Sequence, residues 1–243
     1  MYTDRWNLIK GHIQKPKFVL IDWGSDAGWF SVKIAHAFPQ ATVVSVEADI
    51  MSHGNAIRSH LEKLKIYELG NNILVESLFG PDTFTGLRKV PSDFQLVLSV
   101  FHHMGDGYGG YLRRVSEWDL AFCDLISGSK ITFLELPNEE STNETPHRIR
   151  EWYSGSDVET VTRTALERGG IQAAVELLGE TQHGVKGMRK LFKISLETPV
   201  MPVSAEEIAE YVRRTGEGIR ILPYRRFRLT ISRLASKMRF IRR

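Results

Sequence analysis

The chain has 243 residues, 42% hydrophobic and 25% charged, with one cysteine: the balance of a globular protein long enough for one sizeable α/β domain and an appendage. One cysteine excludes an intrachain disulfide framework and a cysteine-rich zinc site. The net charge of +3 conceals an asymmetry, because residues 211–243 hold eleven Arg or Lys against the single acid Glu217 while the rest is acidic, a pattern that points to an anionic partner.

In chain order, Tyr2, Arg5 and Trp6 share one face of a short N-terminal helix, and residues 1–16 read as a helical lid, with a plain surface helix as the more ordinary alternative. Residues 17–21, apolar from Phe18 onward, predict a first buried strand. A helix over Ser31–Phe38 ends before Pro39, and the β-branched stretch Ala41–Val46 predicts a second strand. Ile57, Leu61 and Leu64 give helical spacing within Ile50–Leu69, closed by Gly70. Strands over Asn72–Leu78 and Phe94–Val100 follow, then a helix over Tyr111–Ile126 and a strand over Lys130–Leu136. Within that helix, Cys123 reads as a small core residue. Glu139–His147 reads as a polar loop, Val158–Arg168 as a helix, and Ile171–Leu178 and Leu191–Leu196 as two closing strands. The fold class is therefore α/β: a Rossmann-like seven-stranded, mostly parallel sheet with helices on both faces, an antiparallel edge strand and a basic C-terminal helical tail. No segment shows a signal peptide's apolar run or bilayer-spanning length, so a cytoplasmic location is expected.

Asp22-Trp23-Gly24-Ser25-Asp26-Ala27-Gly28 joins the first strand to a helix, where a parallel sheet binds ligands. Gly24 allows a tight turn and close backbone approach, and Gly28 lets the helix start near the strand. Asp22 stands where a carboxylate meets the amino group of an amino-acid moiety. Glu47, 25 residues on and ending the second strand, is placed to accept from both hydroxyls of a ribose. Together these predict a nucleoside site. Ile21–Gly28 resembles the first motif of class I S-adenosylmethionine (SAM)-dependent methyltransferases, with a departure at Asp26, where the middle glycine is expected. A dinucleotide fingerprint would need glycine at Asp26 and Trp29. Phe94–Met104 is similar to the fourth motif of the same superfamily.

The resemblance covers about residues 17–197 and implies a methyltransferase domain there. It implies SAM as cofactor, held by Asp22, Gly24, Ser25, Gly28, Glu47, Ala48, Ser77, Leu78, Ser99 and Val100. Leu98–His103 with Phe133–Leu136, Glu139 and Glu140 further resembles the methyltransferase portion of bacterial O-antigen chain-terminating enzymes. That likeness implies a glycan or glycolipid-linked acceptor, methylated on a sugar hydroxyl or a phosphate. The chain has no kinase motifs of the kind some of those enzymes carry, so the acceptor itself does not follow.

Methyl transfer from a sulfonium rests on positioning, and a hydroxyl acceptor benefits from a base. His103 and His102, at the end of the fourth strand, are the candidates, and the alternative is that they shape the pocket. Glu135, ending the fifth strand, is expected to orient a histidine or bind the acceptor, or else to cap the next loop. Glu139, Glu140, His147 and Arg148 are weaker candidates, with Arg148 suited to a phosphate. No metal site is expected, since the adjacent histidines lack ligand spacing.

After Pro223, Tyr224, Phe227, Ile231, Leu234, Met238 and Ile241 fall on one helical stripe, with arginines and lysines elsewhere. Residues 198–243 thus read as a basic helical extension. Such a helix suits an anionic membrane surface, which would make the protein peripheral at the inner membrane surface. A helical partner or homo-oligomer, docking on the acidic body, and nucleic acid are the alternatives, nucleic acid ranking last. The function expected is O-methylation of a glycan or glycolipid-linked acceptor. An RNA methyltransferase using the tail and a non-catalytic SAM-binding scaffold are the rivals.

Overall fold

A computed structural model describes residues 2–48, 55–77, 87, 92–104, 114–138, 147–182, 188–197 and 220–222. Helix α1 spans Tyr2–Lys10, β1 Val19–Trp23, α2 Trp29–Ala37, β2 Thr42–Glu47, α3 Ala56–Ile66 and β3 Asn72–Glu76. Strand β4 spans Ser92–Leu98, α4 Val115–Ile126, β5 Ser129–Glu135, α5 His147–Tyr153 and α6 Val158–Arg168. Strands β6 (Ala173–Gln182), β7 (Met188–Leu196) and β8 (Arg220–Leu222) complete the set.

All eight strands join one sheet in the order β6-β7-β5-β4-β1-β2-β3-β8. β1 to β5 run parallel, which puts the ends of β1 and β2 and the loops after them on one edge. β7 runs antiparallel to β5 and β6 antiparallel to β7. The expected mostly parallel, Rossmann-like sheet with an antiparallel element at one side is what the chain forms, with β8 as an eighth, short strand.

β1 to β4 are buried along most of their length because both faces are covered. Val19, Ile21, Trp23, Val44 and Val46 face a layer containing Trp118, Phe122 and Ile126 of α4, Ile149 and Trp152 of α5, and Val161 and Ala165 of α6. Leu20, Val43, Phe94 and Leu96 face Trp6 and Ile9 of α1, Phe30 and Ile34 of α2, and Leu64 of α3. Alternate residues along β1 thus serve opposite layers, as strand geometry requires.

Element bounds differ from expectation in several places: β4 runs two residues earlier, over Ser92–Leu98, and β6 and β7 extend toward each other, to Gln182 and from Met188. β1 begins and ends two residues later, at Val19 and Trp23, because pairing with β2 continues through Trp23. α2 starts directly after Gly28, two residues earlier than Ser31. α5 was not expected beyond the polar loop; it forms because Ile149, Trp152 and Tyr153 bury together. Arg220–Leu222, expected to be helical, form β8 instead, pairing antiparallel with Leu74–Glu76. That pairing satisfies the main-chain groups of an otherwise open sheet edge, which the local helical pattern cannot do. Residues 223–243, and with them the basic stripe, lie outside the described residues, as do 198–219.

Candidate active site

The glycine loop between β1 and α2 has a backbone that its sequence explains. Gly24 and Gly28 sit at φ +64° and +78°, where glycine carries no penalty. Asp26, standing where a glycine is expected, also has positive φ, at 47°. Aspartate is among the few residues that tolerate this region, and its amide donates to Glu47 Oε2 at 2.7 Å. A methyl group on Gly24 would lie 2.6 Å from Val100 Cγ2, so the bare backbone lets the end of β4 approach the loop. A methyl group on Gly28 would run into the ring of His60.

His60 and Lys63, both on α3, hold the loop from below. The fully buried His60 ring lies 3.4 Å from Ser25 Oγ through Nδ1, and Lys63 Nζ donates to Ala27 O at 2.6 Å. Burial, and then the charge of Lys63, depress the His60 pKa to about 3, so the ring is neutral. Neither residue was expected from sequence; only their i, i+3 spacing on one helix face signals a shared task.

Asp22 is 4% exposed and accepts from Ser31 Oγ at 2.5 Å. Burial first, with the neighbouring Glu47 and Asp26 carboxylates, raises its pKa to about 7 against the lowering effect of Ser31. A cation placed beside Asp22 would relieve that penalty, which is what the ammonium of an amino-acid ligand offers. Glu47, at the end of β2, accepts from Asp26 N and from Ala48 N at 2.9 Å. A carboxylate has about four acceptor positions, so room remains for ribose hydroxyls. Ser77 is buried after β3, its amide on Glu47 O at 2.9 Å. Asp22, Gly24, Ser25, Gly28, Glu47, Ala48 and Ser77 thus gather on one stretch of the edge. Leu78 lies outside the described residues.

On the other side of the loop, β4 ends at Leu98 and passes through Ser99, at φ +58°, and Val100 into a 3-10 turn over Phe101–Met104. Phe101 anchors the turn in the core, packed edge-on against Trp118 with ring centroids 5.5 Å apart. His102 is buried and His103 partly so, their rings 4.0 Å apart. Burial, and then the charge of Arg189, lower the His103 pKa below that of an ordinary histidine, which favours the neutral form a base needs.

Glu135 sits in a buried polar cluster. Its side chain is fully buried and accepts from Ser99 Oγ and, at 3.1 Å, from Thr181 Oγ1. It pairs with Arg5 Nε at 2.7 Å and Arg189 Nη1 at 3.6 Å. Arg189 Nη1 also donates to Ser99 Oγ at 2.6 Å. Glu135 therefore braces the end of β4, and a role touching substrate does not follow from this geometry. Arg189 was missed because a lone arginine in a strand pattern gives no sequence signal of its partner. Arg5, named as part of a lid, is instead buried as an ion-pair partner of Glu135, so α1 is docked in the fold. Tyr2 of α1 stacks on Trp29, the residue after Gly28, at 5.1 Å.

Glu139 and Glu140 lie outside the described residues; His147 and Arg148 open α5, their side chains likewise outside. Among the described residues no three His, Cys, Asp or Glu side chains are placed to hold a metal ion. Cys123 packs in the core, its thiol raised to about 11 by burial and then Asp119.

No protein-family model matches the chain, and no curated protein matches it in sequence. Solved structures do. The fold matches the bifunctional kinase-methyltransferase WbdD with a TM-score of 0.53 at 18% identity, over 84% of this chain and 41% of that one. It matches the methyltransferase domain of bacterial CtHen1 with a TM-score of 0.53 at 16% identity, over 80% and 99%. A Nostoc punctiforme protein described as an O-methyltransferase matches with a TM-score of 0.50 at 11% identity, over 80% and 57%. The chain spans about two fifths of the length of WbdD. The chain therefore has the fold of these methyltransferase structures. The glycine loop and the β2 end stand where the first motif was read in the sequence, and the histidine turn where the fourth was.

Proposed function

We propose that the protein transfers the methyl group of SAM to a hydroxyl of a glycan or glycolipid-linked acceptor, with His103 as the base. The observation that carries the reading is the His102-His103 turn at the end of β4, beside the glycine loop between β1 and α2. When bound, SAM supplies an activated sulfonium methyl group for in-line displacement. Asp22 holds the cofactor's ammonium, and Glu47 accepts from its ribose. The bare backbone at Gly24 admits Val100 and that at Gly28 admits the His60 ring, which brings β4 and α3 against the loop. His103, neutral at working pH, takes the acceptor's proton on an imidazole nitrogen as the new bond forms. His102, buried against it, sets the ring's position. A phosphate acceptor would need no base and is the variant of the same reading. The resemblance of Leu98–His103 and Phe133–Leu136 to polysaccharide chain-terminating methyltransferases supports the glycan class. The basic tail is proposed to bring the enzyme to an anionic surface.

Labelled SAM offered with glycan, glycolipid and RNA fractions tests the acceptor class: label in the glycan or glycolipid is expected, and label in RNA alone would replace the reading. His103→Ala should lower turnover on the accepted substrate by about 100-fold or more while leaving SAM affinity within about twofold. Turnover within about threefold of wild type, roughly 0.6 kcal/mol of barrier, removes the base role.

A further inference from the structure

Four buried polar side chains run in line beneath the ligand edge, on the face covered by α2. Asp22 of β1 pairs in register with Ser45 of β2, and Asn72 begins β3. Ser31 of α2 reaches down to them. Asp22 is 4% and Asn72 2% exposed, and both serines are fully buried. Ser31 Oγ lies 2.5 Å from Asp22 Oδ2, Ser45 Oγ 2.8 Å from Ser31 Oγ, and Asn72 Oδ1 3.0 Å from Ser45 Oγ.

Proton counting fixes the direction of this line. A hydroxyl has one proton to give, and a carboxylate only accepts. With Asp22 ionised, Ser31 spends its proton on Asp22, and Ser45 spends its proton on Ser31. Ser45 then has none for Asn72, so Asn72 must be the donor. With its oxygen toward Ser45, the Asn72 amide leaves Nδ2 buried and without a partner among the described residues. Turning the amide over brings Nδ2 to Ser45 and gives every link one proton. We propose that Asn72, Ser45 and Ser31 form a one-way donor chain that holds Asp22 as an anion at the cofactor site, with Asn72 setting the direction. Protonated Asp22 reverses the chain, which then runs from the acid through both hydroxyls to Asn72 Oδ1. The amide's orientation and the charge on Asp22 are thereby coupled.

The chain matters because Asp22 is otherwise a poor anion. Burial opposes its charge, as do Glu47 from β2 and Asp26 from the loop, and Ser31 is what opposes them. The other groups against it, Ser31 on α2 and Leu96 in register on β4, carry no charge. The value of the chain to catalysis rests on the reading that Asp22 holds the cofactor's ammonium.

Carbon-13 NMR of aspartate carboxyls in the ligand-free full-length protein reads the titration directly, with Asp22 assigned by its loss in Asp22→Asn. Ser31→Ala should raise the Asp22 midpoint by about one pH unit, the loss of one hydrogen bond to a charged group. Ser45→Ala leaves that bond in place and should raise the midpoint by a smaller, measurable step. Asn72→Asp, which cannot donate once ionised, should raise it at least as far as Ser45→Ala. Thermal unfolding reports whether each variant folds, and Ser45→Ala, which deletes one oxygen, keeps the test open if Asn72→Asp does not. Unmoved midpoints in the serine variants overturn the proposal. A shift in Ser31→Ala with none in Ser45→Ala reduces the chain to a single bond and overturns it too. Calorimetry of S-adenosylhomocysteine binding across about pH 5.5 to 8.5 separates this from the reading beneath it. Binding that weakens on acidification, with its midpoint displaced as in the NMR titration, supports both. If the NMR midpoints shift while binding ignores both pH and Asp22→Asn, the chain stands and the ammonium contact fails.

Discussion

The carboxylate of Glu47 accepts from the amides of Asp26 and Ala48, so it braces the glycine loop before any ribose approaches. Its removal acts twice, on the ligand's acceptors and on a loop residue held at positive φ. Glu47→Ala is therefore expected to weaken S-adenosylhomocysteine at least tenfold, about 1.4 kcal/mol, by calorimetry on folded protein. Unchanged affinity would remove Glu47 from the cofactor site. Glu47 and the glycines were legible in sequence because the spacing of an acid at one strand end and glycines after another follows from the βαβ unit itself. Asp26 was legible only as a departure, and its left-handed backbone explains why the departure is tolerated. His60 was not legible, since a histidine within a helical pattern does not reveal that a glycine across the interface depends on it. Ser31 and Ser45 left a faint mark, as polar residues inside apolar runs.

Among the elements, α1 shows how far local pattern falls short. Its nine residues carry a weak amphipathic signal, yet Arg5, Trp6 and Ile9 are buried. The reason lies in β5 and β7, where Glu135 and Arg189 complete an ion-pair cluster with Arg5 that no local window contains. Strands β1 to β5 were legible because fully covered parallel strands must be apolar along their length. Helix α5 and β8 were missed because each is decided by distant partners. Breaking a buried pair from one side leaves the other charge stranded. Arg5→Ala is expected to destabilise the fold by about 3 kcal/mol in urea unfolding. A loss below about 0.5 kcal/mol would mean that Glu135 is held by its other partners and that α1 is not braced through Arg5.

At the scale of the whole molecule, the sheet has a direction. The ligand edge lies at the ends of β1, β2 and β4, where Glu47, Gly24 and Ser99 stand. Among the described residues no helix is long and apolar enough to cross a membrane. The basic stretch begins just past β8, so where the chain is cut decides what a deletion reports. Ending it at residue 219 strips main-chain partners from Leu74, Val75 and Glu76, whereas ending it at 222 keeps them. The shorter chain is expected to melt below the longer one, and the 1–222 chain to melt with full-length protein. Full-length protein should sediment with anionic vesicles at low salt, each cation contributing on the order of 1 kcal/mol, and 1–222 should stay in the supernatant. Equal sedimentation of the two would remove the tail from surface binding, and a tail-dependent rise in oligomer mass would replace the surface with a second copy.

β8 enters the sheet opposite Glu76 and leaves it opposite Leu74, running down from the ligand edge while β3 climbs toward it. Leu222 closes β8 opposite Leu74, the middle residue of β3, so the outer margin of the sheet is sealed by a segment that lies far along the chain from the strand it protects.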